Sequence, residues 1–341
     1  MSDTIEYHDI ETPAPGGTTE IAPGVHWLRM PLPFRLNHIN LWLLEDGAGW
    51  TIVDTGVHSE DSIAIWEGLL GGMLAGRPVH RVIVTHFHPD HAGMAGWLCR
   101  RLGVGLWMTQ VEWLQARSLS LDTDPSLLDD QAAFLRAAGC TEELVADTRK
   151  GGLRYPKLVS PVPRSYYRMH DGMTFDIGGR AWRVVVGTGH APEHACLYCE
   201  SLELMIAGDQ VLPRITPIVA VQAAEPDANP LAEFLFSLEK LRQLPADTYV
   251  LPSHDRPFAG LHARLDYLKS HHVERLEEFL AKCAAPMTAA ALAAEIFPRA
   301  MDGKNITFAL GETLAHLNYL VVAGLMAREL QPDGTNLYGR V

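Results

Sequence analysis

Thr85-His86-Phe87-His88-Pro89-Asp90-His91-Ala92-Gly93 is the stretch that decides how this 341-residue chain is read. Three histidines and a carboxylate stand within six residues, directly after the apolar run Val82-Ile83-Val84, which reads as a buried strand entering a loop. Neutral imidazole suits zinc and its neighbours, and carboxylate adds a harder oxygen ligand, so one short loop can feed two adjacent metals.

The pattern His86-x-His88-x-Asp90-His91 resembles the signature of the metallo-β-lactamase superfamily, and further pieces of that pattern follow in order. Thr188-Gly189-His190 comes after the strand-like Trp182 to Val186, Ala207-Gly208-Asp209 after Leu204 to Ile206, and Pro252-Ser253-His254 after Tyr249 to Leu251. Upstream, Ile52-Val53-Asp54-Thr55-Gly56 resembles the family's first motif, whose Asp supports the site from behind the ligands. The resemblance implies an αββα sandwich in which His86, His88 and His190 hold one metal and Asp90, His91 and His254 the other, with Asp209 bridging. It implies two zinc ions, with iron or manganese as alternatives, and catalytic roles for Asp90 and Asp209. His194 reads as a pocket residue or a support for the ligands. Position 88 matters, because members of the flavodiiron type carry Glu there and do redox chemistry.

The rest of the chain sets the surroundings. A hydrophobic share of 47% and a charged share of 20% are ordinary for a globular protein with a sizeable core. A net charge of −13 argues against broad binding to nucleic acid or an anionic membrane, both of which need excess Lys and Arg. The first twenty residues lack the cationic and apolar parts of a signal peptide, and no run of about twenty apolar residues could span a bilayer, so the expected location is the cytoplasm. The five cysteines form no secreted-type framework, and Cys196-x-x-Cys199 sits in a strand-like stretch where positions i and i+3 face opposite ways.

Residues 1–20 read as a loose arm, 21–260 as the catalytic domain, and 112–170 as an insertion in it. From Arg149 to Arg168 the insertion carries six basic residues and no acidic one, together with Tyr155, Tyr166 and Tyr167. This segment reads either as a solvated loop or as a lid whose Arg154, Arg164, Tyr166 and Tyr167 meet an anionic small molecule such as a CoA or glutathione conjugate. Arg214, in a proline-punctuated loop after Asp209, reads as a substrate contact or the partner of a carboxylate. Residues 261–341 form helical patterns ending in a hairpin, a winged-helix-like module resembling the C-terminal domain of lactamase-β-2-like members. Its candidate recognition helix, Thr307 to Leu320, contains no Lys or Arg, so packing, pocket shaping or homodimer formation fits better than DNA binding.

The expected activity is hydrolysis of a carbonyl substrate, first a thioester, then an ester or lactone. The alternatives are a metal-dependent ribonuclease or phosphodiesterase, and a persulfide dioxygenase using one iron.

Overall fold

The computed structural model describes residues 4–34, 36–300 and 306–341. The chain divides into two compact units, the first built from residues 1–122, 155–217 and 239–265. Its larger sheet holds seven strands in chain order, Thr18–Ala22, Val25–Pro31, His38–Asp46, Gly49–Val53, Val79–Ile83, Leu106–Thr109 and Tyr167–Met169. The first four pair antiparallel and the rest join in parallel. Its second sheet runs Tyr249–Pro252, Leu204–Gly208, His194–Cys199, Arg180–Gly187 and Thr174–Ile177.

Alternation along the strands assigns the faces. Trp42 and Leu44 join Trp27, Val53 and Ile83 in a core shared with Phe175, Trp182, Val184, Leu197, Ile206 and Leu251 of the second sheet. Leu41 and Leu43, pointing the other way, pack with Ile52 and Val82 against Trp66 and Leu69 of the helix Glu60–Gly71 and Leu98 of the helix Ala95–Leu102. The helix Glu60–Gly71 is capped by Ser59, whose Oγ accepts from Ser62 N at 3.1 Å. The expected α/β sandwich is therefore built with both sheet faces buried. Among the described residues no helix is long and apolar enough to cross a membrane.

The expectation of a loose arm over residues 1–20 is corrected, although Met1 to Asp3 lie outside the described residues. Glu6 exchanges backbone hydrogen bonds with Ala259 at 3.0 and 2.8 Å, and His8 stacks on Tyr249 with ring centres 4.3 Å apart. Thr18–Ala22 is the first strand of the large sheet.

The second unit comprises residues 123–154, 218–238 and 266–341, so the boundary expected at 261 and the single insertion 112–170 are both redrawn. Its three pieces are tied by hydrogen bonds that no local pattern reveals. Ala290 N donates to Ala138 O at 2.9 Å, Val221 N to Gly311 O at 3.0 Å, and Asn318 Nδ2 to the carbonyls of Pro226 and Ala228. The helix Ile306–Val322 is followed by the expected hairpin, Met326–Leu330 with Asn336–Arg340, and Met287–Thr288 adds a third strand.

Within this unit His272 Nδ1 and His316 Nε2 meet at 3.3 Å, with Phe234 and Phe279 against the two rings. Burial, and secondarily His316 beside it, depresses His272 to about 3; burial depresses His316 to about 4. Below their ordinary pKa near 6.5 the unfolded chain takes up protons that the native pair refuses, so the pair's stabilisation is intact above that pH and lost as pH falls toward 4 and then 3. Glu312, pushed up to about 7 by burial, acts in the opposite sense, losing stability as pH rises from about 4.5. Replacing His316 with Gln holds Glu312 constant and is expected to flatten the acid limb of the melting temperature between pH 6.5 and 4. Thermal unfolding of chelator-treated wild type and variant measures it.

Candidate metal centre

The strand Val79–Ile83 delivers the histidine loop to the end of the large sheet, where Pro89 opens a four-residue helix, Pro89–Ala92. The helical run that follows is broken at Gly93 and resumes at Ala95. A Cβ at Gly93 would lie 2.4 Å from Pro89 O and 2.6 Å from Gly56 O, so only glycine lets the loop pack this closely on the Asp54 turn. Asp90 lies inside the short helix, with Oδ2 3.5 Å from His254 Nε2 and 3.9 Å from His91 Nε2.

All seven expected ligands converge. His86 Nε2 stands 2.8 Å from His88 Nδ1 and 3.2 Å from His190 Nε2. Asp209 Oδ2 is 3.5 Å from His190 Nε2 and 4.0 Å from His86 Nε2. The other oxygen of the same carboxylate, Oδ1, lies 3.5 Å from His91 Nε2 and 3.4 Å from His254 Nε2. His86, His88, His190 and Asp209 thus form one set, and Asp90, His91 and His254 a second, with Asp209 offering an oxygen to each.

These atoms fit divalent metals. Tetrahedral ligation with bonds of about 2.0–2.1 Å puts ligand atoms about 3.3–3.4 Å apart, and the nitrogens here already converge on that spacing. His91 Nε2 and Asp209 Oδ1 are buried without a hydrogen-bond partner, an arrangement that costs about 1–3 kcal/mol per group unless a ligand satisfies it.

The protonation pattern agrees. Burial and the neighbouring imidazoles hold His86 well below the ordinary range and His88 down at about 3, so both present neutral nitrogens. Against the pull of burial, Asp209 and Asp90 hold His254 up at about 10, and Asp54, Asp209 and Asp90 likewise raise His91. Without metal, protons on these two rings balance the carboxylates, and metal uptake would displace them.

Further residues aim the ligands. Asp54, buried with φ 62°, accepts from Thr85 N through Oδ1 at 2.8 Å and meets His91 Nδ1 through Oδ2 at 2.8 Å, turning His91 Nε2 inward. His194 Nε2 accepts from Asp209 N at 3.1 Å, fixing the backbone of the residue whose carboxylate faces both sets. Sequence reasoning missed four other supports. The His38 carbonyl meets His254 Nδ1 at 2.9 Å, Asn40 Nδ2 donates to Pro252 O and Asp255 O at 2.8 Å, and Tyr155 Oη donates to Phe87 O at 2.5 Å. Glu112, fully buried and pushed up to about 7 by that burial, accepts from Phe87 N and Glu193 N. None of the four lies in a motif, and no spacing signal would have found them.

The substrate contacts fare differently from the ligands. Tyr166 stacks on Trp113 at 4.3 Å and Tyr167 on Trp107 at 4.7 Å, so both serve packing, which corrects their reading as lid aromatics. Arg214 pairs with Asp255, next to His254, at 3.4 Å, and its side chain is 74% exposed. Arg154 and Arg164 are exposed.

A two-sheet sandwich carrying paired His and Asp clusters at its strand ends has the makings of a metal-dependent enzyme. The sequence profile of the metallo-beta-lactamase superfamily matches residues 35–254, and the chain belongs to that superfamily. Residues 276–341 match the profile of the metallo-beta-lactamase-like C-terminal domain. A beta-lactamase domain protein from Burkholderia ambifaria is 45% identical, with a TM-score of 0.92 over 99% of this chain and 98% of the other. A metallo-beta-lactamase family protein from Thermus thermophilus is 31% identical, with a TM-score of 0.79 over 94% of this chain and 100% of the other. A probable metallo-hydrolase from Bacillus subtilis is 25% identical over 86% of this chain and 91% of its own length.

Proposed function

We propose that the protein uses two zinc ions to hydrolyse a thioester, or a related ester or lactone, of an anionic small molecule. The observation that carries this reading is Asp209, whose two oxygens face two separate ligand sets. His86, His88, His190 and Asp209 Oδ2 would hold one ion, and Asp90, His91, His254 and Asp209 Oδ1 the other. Zinc supplies Lewis acidity and brings the pKa of water down to about 7.

The chain's own residues do the rest. Asp90 is the most solvent-accessible carboxylate of the cluster, its side chain 18% exposed against 10% for Asp209. It is therefore the group placed to orient a nucleophile and to pass a proton to a leaving thiolate or alkoxide. Asp209 is fixed at its backbone by His194 and keeps both ligand sets in register. Histidine at position 88, not Glu, favours hydrolysis over redox chemistry. The anionic substrate class rests on the basic segment. Arg149 and Lys150 are spent on Asp129 and Asp147, whereas Arg154, Lys157, Arg164 and Arg168 remain exposed.

The test is turnover of acyl-CoA and acyl-glutathione thioesters by zinc-loaded protein, set against an RNA oligonucleotide. The expected result is thioester hydrolysis that chelator abolishes and zinc restores. Cleavage of RNA alone, or oxygen uptake with about one iron per chain, would replace this reading with a phosphodiesterase or a dioxygenase.

A further inference from the structure

We propose that Glu112 is a positioning residue that selectively organises the three-histidine half of the centre, an inference that rests on the two-metal reading above. Glu112 lies in the first turn of the helix Gln110–Leu121 and is fully buried. Its two oxygens serve two different loops. Oε2 accepts from the backbone N of Phe87, the residue between ligands His86 and His88, at 2.9 Å. Oε1 accepts from Glu193 N at 2.7 Å, on the turn that carries ligand His190 and leads into His194.

The surrounding bonds fix this clamp from both ends. Glu193 Oε2 accepts from Val111 N at 3.0 Å and Glu193 O from Thr109 Oγ1 at 2.8 Å, so the turn is stitched to the start of the same helix. Phe87 O accepts from Tyr155 Oη, which leaves the peptide between His86 and His88 held on both sides. The partners of Glu112 therefore lie between His86 and His88 and on the turn bearing His190, whereas Asp90 and His91, further along the first of these loops, stand in the separate short helix Pro89–Ala92. The other half has its own supports, Asp54 on His91 and the His38 carbonyl on His254. Residues behind the ligands commonly set metal affinity within about 10–100-fold, and here that leverage falls on one ion.

Glutamine at 112 keeps the volume but offers a single carbonyl oxygen. Its amide group faces the second backbone N–H donor to donor, so one loop is released; alanine releases both. The experiment is zinc titration against a chromophoric chelator, resolving two binding steps in the wild type. His190→Ala identifies the step of the three-histidine set, and His254→Ala identifies the other. Glu112→Gln is expected to weaken the first step about 10–100-fold and to leave the second within about twofold, with Glu112→Ala weaker still at the first. Cobalt substitution gives an independent signature, in which the absorption bands lost in His190→Ala are the ones perturbed in Glu112→Gln. Equal weakening of both steps, or two wild-type steps in Glu112→Gln, would overturn the assignment while leaving the two-metal reading intact. A wild-type protein with a single zinc step would overturn the two-metal reading itself.

Discussion

Asp209→Asn is expected to lose the metal-dependent activity by roughly a thousandfold or more, the upper scale on which a group stabilising reacting charge acts on kcat. The substitution is nearly isosteric, and the backbone bond from residue 209 to His194 survives it. The electrostatics do not survive. One of the two oxygens that face the separate ligand sets becomes an NH2 group, a donor with no lone pair for a cation. Whichever way the amide turns, one set loses its shared oxygen and both lose half a shared charge. Metal analysis of the purified variant should show less than the wild-type content, and kinetics at saturating zinc should not recover the lost rate. Retained activity with full metal content would mean that Asp209 does not bridge.

The second large effect is expected at Asp54. Its backbone is left-handed at φ 62°, a conformation that Asn tolerates and Ala adopts at a cost of about 1–2 kcal/mol. In Asp54→Asn, the amide oxygen stays with the Thr85 N–H and the NH2 turns to His91 Nδ1. Nδ1 must then accept, which places the ring proton on Nε2, the atom facing the centre. Metal affinity at the Asp90, His91 and His254 set should fall about 10–100-fold while the fold is kept. Asp54→Ala should add a lower melting temperature in the metal-free protein, and Asp54→Gly, which removes the strain, should restore part of it. Zinc titration and thermal unfolding separate the two effects. Unchanged zinc affinity in Asp54→Asn would show that His91 is oriented by something else.

The ligands were legible in the sequence because each sits directly after a strand in a motif a few residues long, and strand ends are where this architecture gathers loops. His86, His88, Asp90 and His91 come from one loop, and His190, Asp209 and His254 each follow a run of apolar residues that the second sheet buries. The supports were not legible. Glu112, His38, Asn40 and Tyr155 act through single hydrogen bonds to backbone brought close only by the tertiary fold. Tyr166 and Tyr167, read beside arginines, suggested a lid, and only their partners Trp113 and Trp107 reveal packing. The second unit's three pieces likewise meet through contacts far apart in the chain, such as Asn318 with Pro226 and Ala228.

The most direct test of the central claim is anomalous diffraction at the zinc edge from crystals of the zinc-loaded protein. Two peaks are predicted. One should lie within about 2.0–2.2 Å of His86 Nε2, His88 Nδ1, His190 Nε2 and Asp209 Oδ2, and the other at similar distances from Asp90, His91, His254 and Asp209 Oδ1. A single peak, or two peaks that do not share Asp209, would contradict the account.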